Sequence, residues 1–195
     1  MPSSKLKVAL GFDGSSSDDW TCLKAETIDG LLFTPTYGPD KRPTIWAPQE
    51  WGGTIPRLEV DAAVSEMFDR YDVGRMYCDP PGWQTEIEAW SKRHGEDHVL
   101  EWATYRIGQM HSALDRFTSD LATGALTHDG CEITTTHIAN SRKLARPGDR
   151  YIIGKPSQTQ KIDAAVASVI CHEAAADSRT AGWQVAPTTS YAYII

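Results

Sequence analysis

The spacing of apolar residues changes along this chain, and the change constrains the fold more than any other feature of the sequence. Residues 5–12 alternate between large apolar and small or polar side chains, the two-residue period of a β-strand. Residues 20–28 and 31–37 read as two further strands, joined by an Asp29-Gly30 turn. The first part of the chain is therefore predicted to form three antiparallel strands.

Further along, the apolar residues recur at the period of about 3.6 that is typical of amphipathic helices, interrupted by short strands. The predicted elements, in order, are helix 60–71, strand 73–78, helix 83–95, strand 98–103, helix 107–121, a weaker helix 131–141 and helix 161–176. Residues 148–160 are predicted to form a loop with a short strand at 151–153. This order predicts an α/β fold with a mixed sheet, of which three strands are antiparallel and two parallel, flanked by helices.

The length of 195 residues suits a single domain, which we place at residues 1–176. Residues 177–195 are small and polar without periodicity, and they are predicted to form a loosely structured tail. No apolar run approaches the roughly 20 residues of a membrane-spanning helix, and the first residues do not resemble a signal peptide. We therefore expect a protein that is not secreted and has no membrane partner.

Three aspartates are predicted to lie at the ends of these elements. Asp13 ends the first strand, Asp79 ends the fourth, and Asp163 lies in the first turn of the last long helix. If the first and fourth strands are parallel neighbours, Asp13 and Asp79 emerge together at the carboxyl edge of the sheet, where ligands bind. Clustered carboxylates are tolerated when a divalent cation such as Mg²⁺ or Mn²⁺ neutralises them. The alternative is that these are ordinary aspartates, two in loops and one favoured by a helix dipole.

The distribution of charge points in the same direction. The formal net charge of −7 argues against indiscriminate binding of nucleic acid by the whole surface. Residues 142–162 nevertheless hold six basic residues and one acid, Asp149; the basic residues are Arg142, Lys143, Arg146, Arg150, Lys155 and Lys161. Because this stretch adjoins Asp163, it is predicted to bind DNA and lead the phosphate backbone toward a metal site. The alternative is a solvated basic loop.

Three parts of the sequence resemble the nuclease domain of the large terminase subunits of tailed bacteriophages. They are Phe12-Asp13-Gly14-Ser15 with Asp19-Trp20-Thr21-Cys22, then Tyr77-Cys78-Asp79-Pro80-Pro81, then Lys161-Ile162-Asp163-Ala164-Ala165-Val166-Ala167. The resemblance covers most of residues 5–175 and implies the RNase H-like fold. It also implies that Asp13, Asp79 and Asp163 are catalytic, metal-binding acids and that Asp19 is an accessory acid, a role that Asp18 could take instead.

The resemblance further implies an activity and a set of partners. Members of this family are metal-dependent endonucleases that cut concatemeric viral DNA during genome packaging, with two Mg²⁺ or Mn²⁺ ions acting on the phosphodiester bond. The implied partners are double-stranded DNA, the ATPase motor domain of the same subunit, the small terminase subunit and the portal, in the cytoplasm of the infected bacterial host. The motor is expected to be absent from this chain, because Gly148 to Lys155 has one residue too many for a Walker A motif and Pro156 replaces its hydroxyl.

Two other functions remain open from the sequence. Asp79-Pro80-Pro81 resembles the catalytic motif of amino-methyltransferases that use S-adenosylmethionine. Such an enzyme needs a glycine-rich loop between a strand and a helix, whereas Gly11-Phe12-Asp13-Gly14 is followed by a predicted hairpin. The other possibility is a catalytically silent RNase H-like module used for docking.

Overall fold

A seven-stranded mixed sheet lies between two layers of helices in the computed structural model, which describes residues 5–15 and 18–183. The strands are β1 (Lys7–Asp13), β2 (Thr21–Thr27), β3 (Leu31–Phe33), β4 (Thr36–Tyr37), β5 (Arg42–Pro43), β6 (Ile45–Trp46), β7 (Asp72–Cys78), β8 (Val99–Glu101), β9 (Thr127–His128), β10 (Arg142–Arg146) and β11 (Arg150–Gly154). The helices are α1 (Arg57–Arg70), α2 (Gln84–His94), α3 (Ile107–Thr123), α4 (Glu132–Asn140) and α5 (Asp163–Thr180), with a 3₁₀ turn at Pro48–Trp51.

The main sheet has the strand order β8-β7-β1-β2-β3-β9, and β6 also pairs with β2. Strands β1, β2 and β3 are antiparallel neighbours, whereas β7 runs parallel to β1 and β8 parallel to β7. The predicted mixed sheet is therefore confirmed in both halves. The parallel pairing of β1 with β7 brings the carboxyl ends of these two strands to the same edge of the sheet.

Strand β1 is the centre of the core because both of its faces are covered. Val8, Leu10 and Phe12 pack into the cluster that includes α1 and α2. The middle of the opposite face carries the small residues Ala9 and Gly11, and a Cβ atom on Gly11 would lie 2.3 Å from the backbone nitrogen of Cys171 in α5. The absence of a side chain at Gly11 thus lets α5 lie directly against the strand that ends in Asp13.

One prediction for the smaller strands is wrong and another is incomplete. The strand predicted over 31–37 is interrupted after Phe33, since Pro35 has no N–H to continue the ladder, and β4 pairs instead with β5. The short strand predicted at 151–153 is confirmed as β11, whereas the hairpin that it forms with β10, over five residue pairs, was not predicted. Its turn needs left-handed backbone at Gly148 and Asp149, with φ of 75° and 55°.

The last helix is longer than predicted, because α5 continues to Thr180 rather than ending at 176. The hydroxyls of Ser178 and Thr180 donate to the carbonyl oxygens of Ala174 and Ala176, at 2.7 and 3.0 Å, so these polar residues are satisfied within the helix. Residues 177–180 of the predicted tail are therefore helical, and residues 184–195 lie outside the described part of the chain. None of the helices described is both long enough and apolar enough to cross a bilayer.

Candidate active site

Two of the predicted acids emerge side by side from neighbouring strands. Asp13 is the last residue of β1, and Asp79 directly follows β7. The backbone N–H of Asp79 donates to the carbonyl oxygen of Phe12 at 2.9 Å, so the parallel ladder continues up to these residues. The predicted meeting of Asp13 and Asp79 at the carboxyl edge is confirmed, for the reason proposed: parallel neighbours end at the same edge.

The third acid reaches the same edge from the last helix. Asp163 is the first residue of α5, and it lines one cleft together with Asp13 and Asp19. The cleft is also lined by Gly14, Ser15, Thr104, Gly154, Lys155, Ile162 and Val166. Segments about 150 residues apart in the chain therefore share one cleft, with Asp79 beside it through its bonds to Thr104.

The surroundings of Asp13 and Asp163 make ionisation of their carboxyl groups less favourable than that of an exposed aspartate. Burial, together with the nearby carboxylates of Asp163 and Asp79, raises the pKa of Asp13 well above its usual value. Burial also raises the pKa of Asp163 to about 6. The Oδ2 atom of Asp163 is buried without a hydrogen-bond partner among the described residues. A proton or a cation between the carboxylate oxygens of Asp13 and Asp163 would lower the electrostatic cost of holding these two groups close together.

Asp79 is held in place by a residue that the sequence analysis missed. Thr104 donates its backbone N–H to Oδ1 of Asp79 and its hydroxyl to Oδ2, both at 2.9 Å. Burial raises the pKa of Asp79, and these two bonds oppose that effect. A weak signal was present in the sequence, because Thr104 follows the end of β8 by three residues and so lies at the same edge of the sheet.

Asp19 forms ion pairs with two of the lysines that were predicted to bind DNA. The Nζ atom of Lys155 lies 2.5 and 2.7 Å from the two carboxylate oxygens of Asp19, and Nζ of Lys161 lies 2.7 Å from Oδ1. Burial opposes ionisation of Asp19, but the bonds from both lysines outweigh it and lower its pKa. The side chain of Asp18 is exposed, and only its carbonyl oxygen accepts a bond from Lys161. Asp19, not Asp18, thus presents its carboxylate to the cleft.

The other four basic residues lie on the β10–β11 hairpin. Arg142, Lys143 and Arg146 belong to β10, and Arg146 pairs with Arg150 of β11 next to the turn. All but Arg146, which is half-buried, are exposed. Because β11 ends at Gly154, which lines the cleft, the hairpin adjoins the acidic site, and we call it the basic arm. Its strand β11 packs against α3, where the hydroxyl of Tyr151 donates to Asp115 at 2.6 Å.

The four acids fit a divalent cation by their chemistry, although they are not arranged around one point. Within residues 5–15 and 18–183, no three Asp, Glu, His or Cys side chains are gathered so as to hold a metal ion as they stand. Asp79 is engaged by Thr104 and Asp19 by two lysines. Asp13, which is half-buried, and Asp163, which is buried, remain without a bond from another described side chain. Carboxylate oxygens are the donors that Mg²⁺ and Mn²⁺ prefer.

Known phage proteins share sequence with this chain, although the chain matches no protein-family model. It is 33% identical to the Gene 13 protein of Mycobacterium phage D29 over 183 residues, which cover 88% of this chain and 29% of that protein. The chain thus spans about three-tenths of the length of the curated relatives it matches.

Solved structures share its fold. The large terminase of bacteriophage HK97 superimposes with a TM-score of 0.66 at 17% identity, covering 86% of this chain and 39% of that one. The large terminase nuclease of the thermophilic phage G20c also gives a TM-score of 0.66, at 8% identity, covering 86% of this chain and 82% of that one. The chain has the fold of a phage large terminase nuclease domain. The RNase H-like fold implied by the sequence resemblance is thereby confirmed.

Two further matches of this terminase nuclease fold contain metal ions. Crystal structures of the G20c nuclease with bound magnesium and with bound cobalt superimpose on the chain with TM-scores of 0.60 and 0.57, at 11% and 9% identity. The G20c domain with magnesium covers 89% of this chain and 82% of its own length.

The amino-methyltransferase alternative loses its support in this fold. Gly11-Phe12-Asp13-Gly14 ends β1 and leads into the antiparallel strand β2, so no helix starts there to form a cofactor loop. The carboxylate of Asp79, which such an enzyme would use for its substrate, accepts two bonds from Thr104 instead.

Proposed function

We propose that this chain is the nuclease domain of a phage packaging terminase and that it hydrolyses phosphodiester bonds of double-stranded DNA with Mg²⁺ or Mn²⁺. The observation that carries the proposal is that the carboxylates of half-buried Asp13 and buried Asp163 line one cleft, whose other charged groups include Lys155. The metal-bound structures of the G20c nuclease, which has the same fold, support the choice of a divalent cation.

In this proposal all four acids contribute to binding two cations, each in a different way. Asp13 and Asp163 provide the oxygens that no other described side chain engages, and Asp79 is presented by Thr104. Asp19 serves as the accessory acid. Divalent cations bound there would supply the positive charge that activates a water molecule and stabilises the charge developing on the phosphate and the leaving oxygen.

The basic residues provide the path for the DNA backbone in the same proposal. The basic arm contacts the duplex first, through Arg142, Lys143, Arg146 and Arg150. Lys155 and Lys161 lie deeper and form ion pairs with Asp19. A phosphate group that enters the cleft would compete with Asp19 for hydrogen bonds from their ammonium groups. Asp19 would then be released toward a cation.

The wider role follows from the family that the chain resembles. We infer that the domain cuts concatemeric viral DNA in the cytoplasm of the infected bacterium, joined to an ATPase motor domain and working with the small terminase subunit and the portal. The matched region is 39% of the HK97 large terminase chain. The remaining part of a subunit of that length is long enough for a motor domain.

Cleavage of plasmid DNA in the presence of Mn²⁺ tests this proposal, with Asp13→Asn as the decisive variant. The variant should lose cleavage while its melting temperature stays equal or rises, because a repulsive carboxyl has been neutralised. Asp18→Asn, which changes an exposed acid outside the cleft, is the matched control and should remain active.

Two results would contradict the proposal. Full cleavage by Asp13→Asn would remove Asp13 from the site. A wild-type protein that binds DNA, yet neither cleaves it nor gains thermal stability from Mn²⁺, would instead indicate the silent docking module.

A further inference from the structure

Helix α5, which begins with Asp163, has no cap from its own sequence. The residue at the N-cap position is Ile162, whose side chain cannot accept a hydrogen bond from the first turn. The backbone N–H of Ala164 donates instead to Nδ1 of His137, at 3.0 Å, in a buried contact. A histidine from α4 thus takes the place of the missing cap.

Helix α4 holds the start of α5 at a second point. The side-chain amide of Asn140 donates to the carbonyl oxygen of Lys161 at 2.9 Å. The two contacts lie on either side of Asp163 in the chain, one at residue 161 and one at residue 164. His137 is only 3% exposed and its ring meets that of Trp20 edge to face, with 5.1 Å between centroids. The acceptor is therefore rigidly placed.

The orientation of the Asp163 carboxylate depends on backbone placement more than those of Asp79 and Asp19 do. Thr104 holds Asp79 and two lysines hold Asp19. Asp163 accepts a bond only from its own backbone N–H, and its Oδ2 has no partner in the described part of the chain. Its direction is therefore set by where α5 begins and how its first turn is oriented.

The contact also requires one particular form of the histidine. Because the Ala164 N–H is the donor, Nδ1 must be unprotonated and the ring neutral, with its proton on Nε2. Burial and the ammonium groups of Lys24 and Lys161 lower the pKa of His137 to about 4, so the neutral ring is the form present at physiological pH.

We propose that His137 is a positioning residue of the candidate nuclease site: it caps α5 through Nδ1 and thereby fixes the Asp163 carboxylate in the orientation that binds the cation. The proposal rests on the proposed function. Groups that orient metal ligands without touching the metal typically contribute about 10- to 100-fold to metal affinity, and we expect an effect of that size here.

Two amide variants of His137 distinguish the hydrogen bond at Nδ1 from any other role of the side chain. In His137→Asn the amide oxygen is attached to Cγ, as Nδ1 is in histidine, and it can accept the Ala164 N–H. In His137→Gln the amide lies one bond further out, where Nε2 was. Glutamine has the higher helix propensity, so a better result for asparagine cannot come from the stability of α4 alone.

The measurements are amide hydrogen exchange at Ala164, Mn²⁺ affinity from titration calorimetry, and the Mn²⁺ concentration for half-maximal cleavage. His137→Asn should keep Ala164 protected and stay within about threefold of the wild-type Mn²⁺ affinity. His137→Gln should expose the Ala164 amide to exchange and weaken Mn²⁺ binding by about 10-fold or more. DNA affinity measured without metal should be the same for both.

Each other outcome has a definite meaning. Equal Mn²⁺ affinity in both variants, with Ala164 unprotected in His137→Gln, would overturn the positioning role, as would failure of His137→Asn to retain affinity. If wild-type Ala164 is protected but the wild-type protein neither binds Mn²⁺ nor cleaves DNA, the proposed function has failed while the cap itself stands.

Discussion

At the scale of single residues, the surroundings of each titratable group determine its chemistry more than its residue type does. Burial and neighbouring acids raise the pKa of Asp13. Six residues further along the chain, two lysines lower the pKa of Asp19. The cysteines show the same contrast. Three are fully buried with raised pKa values, while Cys131 is half-exposed and has a lowered one.

We predict that Cys131 is the reactive thiol of this protein. Burial by itself would raise its pKa, but hydrogen bonds from Thr134 and Thr34 outweigh burial, and the nearby ammonium of Lys24 also favours the thiolate. Iodoacetamide at pH 7.5 should label Cys131 at least about tenfold faster than any other cysteine, as measured by peptide mass spectrometry. Cys131→Ser should leave the folded protein almost unlabelled, and equal labelling of all four thiols would contradict the prediction.

At the scale of secondary-structure elements, the site depends on how closely α5 approaches β1. The approach is possible because Gly11 has no side chain: a Cβ atom there would lie 2.3 Å from the nitrogen of Cys171 and 2.5 Å from the carbonyl oxygen of Ala167. The same contact sets the distance between Asp13, at the end of β1, and Asp163, at the start of α5. Packing of the core and geometry of the site are therefore coupled through one glycine.

Gly11→Ala should consequently lower stability and activity together. The added methyl group meets backbone atoms of α5, which cannot rotate away as a side chain could, so we expect a loss of about 1–3 kcal/mol in the free energy of unfolding. Urea denaturation measures this loss, and cleavage assays measure the displacement of Asp163. Gly108→Ala, within α3, is the control: the nearest atom to its new Cβ, a side-chain nitrogen of Arg150, would lie 3.8 Å away, and stability should stay equal or increase slightly. Similar stability of the two variants would contradict the prediction.

The β10–β11 hairpin leads to a second prediction at this scale. Reversing Arg142, Lys143 and Arg146 to glutamate should weaken DNA binding and flatten the dependence of affinity on salt. Each lost phosphate contact reduces the slope of log affinity against log salt by about 0.9. The measurement is fluorescence anisotropy with labelled duplex DNA at several salt concentrations. Lys92→Glu, on the exposed face of α2, serves as the control for altered net charge. An unchanged slope in the triple variant would show that DNA follows another surface.

At the scale of the whole molecule, a buried polar network ties three distant elements of the fold together: β2, α3 and α5. His172 of α5 bonds to Glu26 of β2 at 2.8 Å and to Asp120 of α3 at 2.9 Å. Arg179 also reaches Glu26, at 3.0 Å. Glu26 is fully buried, so the network compensates a carboxylate that would otherwise be costly to place inside the sheet-helix interface.

The network should make stability depend on pH. Burial opposes the charged form of His172, but the bonds to Glu26 and Asp120 outweigh burial and raise its pKa in the folded protein. A raised folded pKa means that the stabilisation is complete below the unfolded value of about 6.5 and is lost as pH rises through the folded value. The loss in unfolding free energy caused by His172→Gln should therefore be about 2–3 kcal/mol at pH 6 and smaller at pH 8.5. His98→Gln, an exposed control, should show no such trend, and a deficit of His172→Gln that grows with pH would refute the prediction.

The sequence alone determined the order of elements and the place where the acids would meet. Hydrophobic periods and turn residues act over a few neighbouring positions, so the helices and the mixed sheet could be predicted within a few residues from local pattern. A right-handed crossover through α1 permits the parallel pairing that brings Asp13 beside Asp79, and β1 and β7 pair in this way. The resemblance to terminase nucleases added Asp19 and the catalytic role of Asp13, Asp79 and Asp163.

Only the tertiary structure decided which groups hold these acids. Lys155 lies 136 residues from Asp19, and His137 reaches the start of α5 from a different helix. Strand β10 and its pairing with β11 were not predicted, because β10 is mostly exposed and lacks the alternation that burial of one face imposes. Side-chain partners such as these are selected when distant elements pack together, and no local pattern in the sequence encodes the distances between them.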